Sequence, residues 1–200
     1  MIQTTAGPPE PIWPMTGSAE LEAVASRLEA ANGYVPNIYR CLAHAPRVVD
    51  GWIDMAWLLH GEVTADKGLR ELAIMRKAYL HGVDYLWRNH WRAAVNAGIT
   101  PEKLLALPGW RASSEFTSAE RAVLELVDQL SSNSALTLAP ALWQELHRHF
   151  TDQVAVELIV TTAFYSCVSQ TMASLEVALD CSLIDVPPVP PHATAGGDLD

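Results

Sequence analysis

Apolar residues recur along most of the chain at three- and four-residue intervals, the period of an amphipathic helix, while the strict alternation of a half-buried strand is scarce. In the first such stretch Leu21, Val24 and Leu28 share one stripe, Ser18 can accept free N–H groups at its start, and Asn32-Gly33 supplies a left-handed stop. Later stretches carry similar punctuation. Pro46, Pro101 and Pro140 suit first-turn positions, Asp66 and Asp84 can cap the helices that follow them, and Thr117 with Glu120 makes a capping-box pattern. Gly82 and Gly98 bracket one helix. The pattern predicts helices over 18–31, 36–43, 46–60, 67–81, 85–97, 101–107, 118–130, 140–149 and 152–179. With no glycine between Gly109 and Gly196 and few strand signals, the fold class is all-α.

Eight of the 13 prolines fall in 8–14 and 187–191, where a missing N–H and a fixed φ oppose regular structure. The expected organisation is a Pro-rich N-terminal tail over 1–17, one helical domain over 18–185 and a flexible C-terminal tail over 186–200. Trp57, Asp66, Glu71, Leu72 and Tyr79 recur 86 residues later as Trp143, Asp152, Glu157, Leu158 and Tyr165. Such an echo describes two pseudo-repeated units, each a helix, a turn and a long helix opened by a capping Asp; chance matches account for it equally.

At 200 residues the chain suits one domain that buries about 70% of its unfolded surface without cross-links. Three cysteines, Cys41, Cys167 and Cys181, fit neither a disulfide framework nor a four-thiolate zinc site and point to a reducing cytoplasm. The formal charge of −10 argues against nucleic acid and anionic lipid as partners. The start lacks the basic and apolar regions of a signal peptide. The uncharged run 158–175 reaches membrane-span length, but its Thr, Ser and Gln side chains read as those of a buried helix in a soluble protein.

Strong catalytic signatures are absent: no GxGxxG, Walker loop, GxSxG, CxxC, HxxxH or ExxH occurs. His147 and His149, two apart on a helix, point different ways. The informative stretch is 66–92, where six basic residues stand against three acidic ones, the best field for an anion in an acidic chain. The same long side chains could instead coat solvent-facing helix surfaces. Within it, Leu86 and Trp87 lie four and three residues before His90, which sets an imidazole on an apolar and aromatic helix face. Burial and a nearby carboxylate shift such a ring in opposite directions, so it can titrate near neutrality; a core histidine with one hydrogen bond would look the same.

Arg70-Glu71-Leu72-Ala73-Ile74, then Tyr85-Leu86-Trp87-Arg88-Asn89-His90 and Ala97-Gly98-Ile99-Thr100, resemble the carboxymuconolactone decarboxylase family, which includes the alkylhydroperoxidase D-like proteins. Phe116 to Asp128, Trp143 to Phe150, Val156-Glu157-Leu158 and Phe164-Tyr165 are similar to that family's second half. The resemblance implies an alkylhydroperoxidase D-like helical domain. In the family's redox branch a CxxC pair lies between the glutamate and the histidine, but here Val83 and Leu86 occupy the cysteine positions. Neither can form a thiolate or a disulfide, which removes dithiol peroxide reduction. Ser166 and Gln170 also depart from the stronger polar Asn and Arg expected in the second half.

What remains resembles the cofactor-free branch, a lyase or isomerase acting by proton transfer on an anionic lactone, enol or unsaturated carboxylate. In that reading His90 moves the proton, Glu71 orients it, Tyr85 donates to the developing oxyanion, and Arg76, Arg88 and Arg92 hold the substrate anion, while Trp87, Trp91, Val83 and Leu86 shape the wall. The resemblance further implies a homo-oligomer, a trimer or a hexamer. The absent ligand spacings and phosphate loops lead us to expect no metal, haem, flavin or nucleotide. Two other readings are a non-catalytic ligand-binding or scaffold protein, and a residual thiol peroxidase using Cys41 or Cys167.

Overall fold

The structure, a computed structural model, describes residues 16, 17, 19–132 and 137–192. Ser18, the proline cluster at 8–14 and residues 193–200 lie outside the described residues. Nine α-helices and no strand occur among those described: α1 (Ala19–Asn32), α2 (Asn37–Leu42), α3 (Pro46–Gly61), α4 (Lys67–His81), α5 (Asp84–Asn96), α6 (Pro101–Leu105), α7 (Ser118–Ser131), α8 (Pro140–His149) and α9 (Asp152–Ser174). Single 3₁₀ turns occupy Leu107–Gly109 and Cys181–Leu183. The expected all-α class holds.

Several ends follow the sequence signals. Asp66 accepts from the Leu69 N–H at 3.1 Å, and Thr117 with Glu120 forms the complete capping box. Gly82, at φ 64°, closes α4: the Gly82 N–H reaches Tyr79 O and the Val83 N–H reaches Ala78 O, the paired bonds of a Schellman stop. Two expected caps are corrected. Asp84 lies inside α5 behind the cap residue Val83 and gives its carboxylate to Arg88 Nε at 2.8 Å and Val189 N at 2.8 Å. Asp152 also lies inside its helix, and Thr151 caps α9 by accepting from the Val154 N–H.

The last helix ends at Ser174 rather than 179. The Glu176 N–H reaches Ala173 O and the Val177 N–H reaches Met172 O, a Schellman stop in which Glu176 takes φ 48° where glycine is usual. That conformation has no glycine to announce it. Beyond it, Asp180 accepts from the Asn37 N–H and from the Tyr85 hydroxyl, which ties the returning chain to α2 and α5. Residues 186–192, expected to lie in a flexible tail, run against the body. Val186 is buried, Arg88 donates to its carbonyl, and the His192 ring lies 4.8 Å from that of Tyr79.

α4 is the centre of the molecule, packed against α5, α7 and α9. Ten of its residues are buried, charged ones included: Arg70, Glu71, Arg76 and Lys77 stand beside Leu72, Ile74 and Met75. Buried charges persist only with partners. Arg70 donates to the carbonyls of Leu59 and Ala65, Arg76 to Asp128 and Leu107 O, and Lys77 to Ser131 Oγ. Burial pushes the Lys77 ammonium down to about 8, against the pull of Asp128.

α9 is the one helix among the described residues that is long and apolar enough to cross a membrane. One face, with Leu158, Thr161, Thr162, Tyr165 and Ser169, is buried in the body. Its hydroxyls bond back one turn: Thr161 to Glu157 O, Thr162 to Leu158 O and Ser169 to Tyr165 O, so burial leaves them satisfied.

Candidate active site

The turn at Gly82 folds α5 back on α4, so two residues on separate helices come together. His90 Nδ1 lies 2.8 Å from Glu71 Oε2, both side chains buried. A carboxylate accepts only, so the proton between them belongs to Nδ1, which leaves Nε2 as the nitrogen available to the cavity. The pair expected from sequence is therefore formed.

The same carboxylate meets a second imidazole. His60, at the end of α3, places Nδ1 3.7 Å from Glu71 Oε1 and stacks on His90 with ring centroids 5.4 Å apart. Its other nitrogen, Nε2, lies 2.6 Å from the Tyr165 hydroxyl. The negative charge beside Nδ1 favours the proton there, so Tyr165 O–H donates to Nε2. Tyr165 also stands edge-on to His90, with ring centroids 5.1 Å apart.

Electrostatics fixes the charge of three of these groups. Burial opposes ionisation of Glu71, but the charge of His90 and its hydrogen bond outweigh burial and hold the carboxyl below its ordinary value. Burial, then the charge of Glu71, keeps the Tyr165 phenol protonated far above neutrality. Burial pushes His60 down to about 4, with the charge of His90 adding to the shift and Glu71 opposing it. An unfolded chain protonates that ring near its ordinary 6.5, so the folded state binds fewer protons and loses stability as pH falls from 6.5 through about 4. His60→Phe should flatten that part of the melting-midpoint curve, and an unchanged slope in the variant would refute the assignment.

His60, His90 and Tyr165 line a cavity of about 350 Å³ framed by α2, α3, α5 and α9, with Glu71 buried behind the two imidazoles. Its walls are largely aromatic and aliphatic: Tyr39, Trp52, Trp57 and Phe164 with Ile38, Leu86, Val168 and Met172. Asn89 supplies a polar group on α5. Among the described residues no Lys or Arg lines it. Nor do three His, Cys, Asp or Glu side chains among them form a group that could hold a metal ion.

Several residues expected at the site lie elsewhere. Arg76 is held by Asp128 through Nε at 2.7 Å and a second nitrogen at 3.1 Å. Arg88 is consumed by Asp84 and by the carbonyls of Leu183, Ile184 and Val186. Arg92 is exposed on α5. Tyr85 gives its hydroxyl to Asp180, away from the cavity, and burial, then that carboxylate, raises the phenol far above its usual value. Of the two residues expected to shape the wall at the family's cysteine positions, Leu86 lines the cavity, whereas Val83 caps α5. Trp87 is fully buried against Trp91 in the core, and its indole N–H finds no partner among the described residues. Cys41 is buried on α2, its thiol raised by burial and by Asp180, and Cys167 is exposed on α9; neither lines the cavity.

His60 and Tyr165 were not singled out by sequence reasoning. The available signal was the register of Trp52, Ala56 and His60, which are four apart on one helix face, as are Phe164 and Val168 on another.

No curated protein matches the chain by sequence. The chain resembles several solved structures at low identity. A peroxidase-related protein from Silicibacter sp. TM1040 aligns with a TM-score of 0.76 at 18% identity over 91% of this chain and 98% of that one. A peroxidase-related protein with an alkylhydroperoxidase AhpD core, from Ralstonia eutropha JMP134, gives 0.74 at 17% identity over 88% and 96%. The debrominase Bmp8, solved alone and with 2,3,4-tribromopyrrole, gives 0.72 at 19% identity over 86% and 92%. These likenesses show the fold. The sequence profile of the Carboxymuconolactone decarboxylase family matches residues 46–129, the stretch that carries His60, Glu71 and His90. Residues 46–129 thus carry the sequence pattern of the carboxymuconolactone decarboxylase family, and the described residues share the alkylhydroperoxidase D-like fold.

Proposed function

We propose that the chain is a cofactor-independent lyase or isomerase that moves a proton on a small unsaturated ring compound: a lactone, an enol or an unsaturated carboxylate. The observation that carries this reading is the buried Glu71–His90 pair at the floor of an aromatic cavity. Glu71 orients the imidazole and neutralises its charged form, while Nε2 gives or takes the proton at the substrate. Where CO₂ leaves, the C–C electron pair becomes a dienolate, and the His90 imidazolium protonates its carbon. The aromatic walls suit a flat ring and shield the developing charge from water.

The test is deuterium incorporation. Ring lactones, cyclic enols and unsaturated carboxylates are incubated in deuterium oxide with wild type and with His90→Gln, and deuterium at carbon is read by NMR. Acceleration by wild type alone supports the reading. A tightly retained apolar ligand with no exchange would favour the non-catalytic ligand-binding alternative. Exchange that survives His90→Gln would remove His90 from the chemistry.

The proposal includes a homo-oligomer, trimeric or hexameric, in the cytoplasm. Exposed Met55 and Leu58 on α3, with Val156 and Val160 on α9, give two of the four cavity-bearing helices apolar outer faces suited to a subunit contact. Three cysteines that form no disulfide among the described residues, one of them buried, suit a reducing compartment. Light scattering at micromolar concentration should return a multiple of the chain mass. The mass of a single chain would contradict the assembly.

A further inference from the structure

Glu71 is shared between two imidazoles, and only one of them is explained by the proton transfer above. His60 lies on a different helix from His90, faces the opposite oxygen of the same carboxylate at 3.7 Å, and is hydrogen-bonded to the hydroxyl of Tyr165, a residue that also lines the cavity. The cavity thus offers a reactant two proton-handling groups, His90 Nε2 and Tyr165 Oη, joined behind it through His60 and Glu71.

We propose that the site is built for tautomerisation of a neutral cyclic enol to its ketone, with Tyr165 and His60 taking the proton from oxygen while His90 delivers one to carbon. The inference rests on the reading of His90 given above and adds the substrate's charge state and a second catalytic group. The step balances. The enol O–H proton passes to Tyr165 Oη as the hydroxyl gives its own proton to His60 Nε2. The oxygen's electrons close the carbonyl, the C=C pair takes a proton from the His90 imidazolium, and the positive charge has moved from one imidazole to the other. Glu71 faces both, at 2.8 Å to His90 and 3.7 Å to His60, so either charged form has the same counter-ion. His60, which burial disfavours as a cation, returns its extra proton to water, and His90 takes one back.

Two features favour a neutral reactant over the anion expected from sequence. No Lys or Arg among the described residues lines the cavity, and Glu71 already places a negative charge beneath it. A reactant carboxylate on the floor would meet only the His90 imidazolium, whose charge Glu71 already neutralises. A reaction that removes one proton as it adds another never builds a full oxyanion, so it needs no arginine.

The probe is 2-acetylcyclohexanone, a neutral cyclic diketone that is rich in enol in hydrocarbon solvents and ketonises on dilution into water. Ketonisation is followed by the loss of enol absorbance with wild type, Tyr165→Phe, His60→Phe and the Tyr165→Phe/His60→Phe double variant. Each single variant should lower kcat by about 10²-fold with KM little changed, and the double variant should be no worse than either, because one relay is broken only once. His60→Gln, which keeps a polar side chain of similar reach, repeats the measurement if His60→Phe melts early. Single variants within threefold of wild type, or losses that multiply in the double, would overturn the relay. A wild type that ignores the neutral enol yet decarboxylates 2-oxocyclohexane carboxylate would overturn the neutral substrate and leave the His90 reading standing. A wild type inert towards both, with no deuterium exchange, removes that reading as well.

Discussion

His90→Gln is expected to lower turnover by about 10² to 10⁴-fold while the protein stays folded, because the two properties depend on different atoms of the ring. The Nδ1 side satisfies Glu71, and a glutamine amide can donate to the same oxygen. Glu71 also keeps His60 beside its other oxygen, so its charge is not stranded in the core. The Nε2 side carries the chemistry, and glutamine supplies no group there that gains and loses a proton near neutrality. Glu71→Gln should cost less activity and move the pH optimum, because the carboxylate that orients the ring is lost. A purely structural pair behaves otherwise. Each substitution would then destabilise by about 1 to 3 kcal/mol with activity per folded molecule unchanged. Activity and thermal unfolding measured on the same two variants separate the cases, and unchanged specific activity in both would end the catalytic assignment.

The half of the site that was legible in the sequence shares one physical property: it lies across a single turn. Glu71 and His90 sit on consecutive helices, and Gly82 announces the stop between them, so a hairpin was enough to predict their meeting. The other half is non-local. His60 meets Tyr165 across 105 residues of sequence, and nothing in the pattern of either helix specifies that the two will cross. The arginines fail for a related reason. A surplus of basic residues in 66–92 reads as a field for an anion, but burial of the middle of α4 turns three of its cations inwards to specific partners. Arg70 finds carbonyls, Arg76 finds Asp128, and Lys77 finds Ser131. Charged residues on a helix suggest a solvated face, and the central helix of this fold breaks that rule because its polar groups are paired across three neighbouring helices. The end of α9 was illegible because its left-handed residue is a glutamate.

Arg76 is where the two kinds of reading give opposite experimental outcomes. As a substrate-binding residue, its removal would raise KM and leave the melting temperature alone. The structure predicts the reverse: Arg76→Ala should destabilise the protein by about 3 to 5 kcal/mol, the usual cost of stripping one partner from a buried ion pair, with KM unchanged in the folded fraction. Arg76 makes two bonds to Asp128 and a third to Leu107 O at 2.9 Å, which fastens α4 to α7 and to the turn after α6. Asp128 is held below the ordinary carboxyl value because, despite burial, its bonds to Arg76 and Arg111 favour the ionised form. Its contribution is therefore fully present above the ordinary aspartate value and is lost as pH falls through the depressed one. Trp110 and Arg111 also donate to Asp128 and soften the loss in Arg76→Ala without replacing the two-bond geometry. Removing both charges in Arg76→Met/Asp128→Leu should recover much of the stability and abolish this part of the acid sensitivity, since the stranded carboxylate is the costly element and an apolar pair can fill the same space. A double variant as unstable as Arg76→Ala would show that the bond to Leu107 O, rather than the ion pair, holds α4 in place.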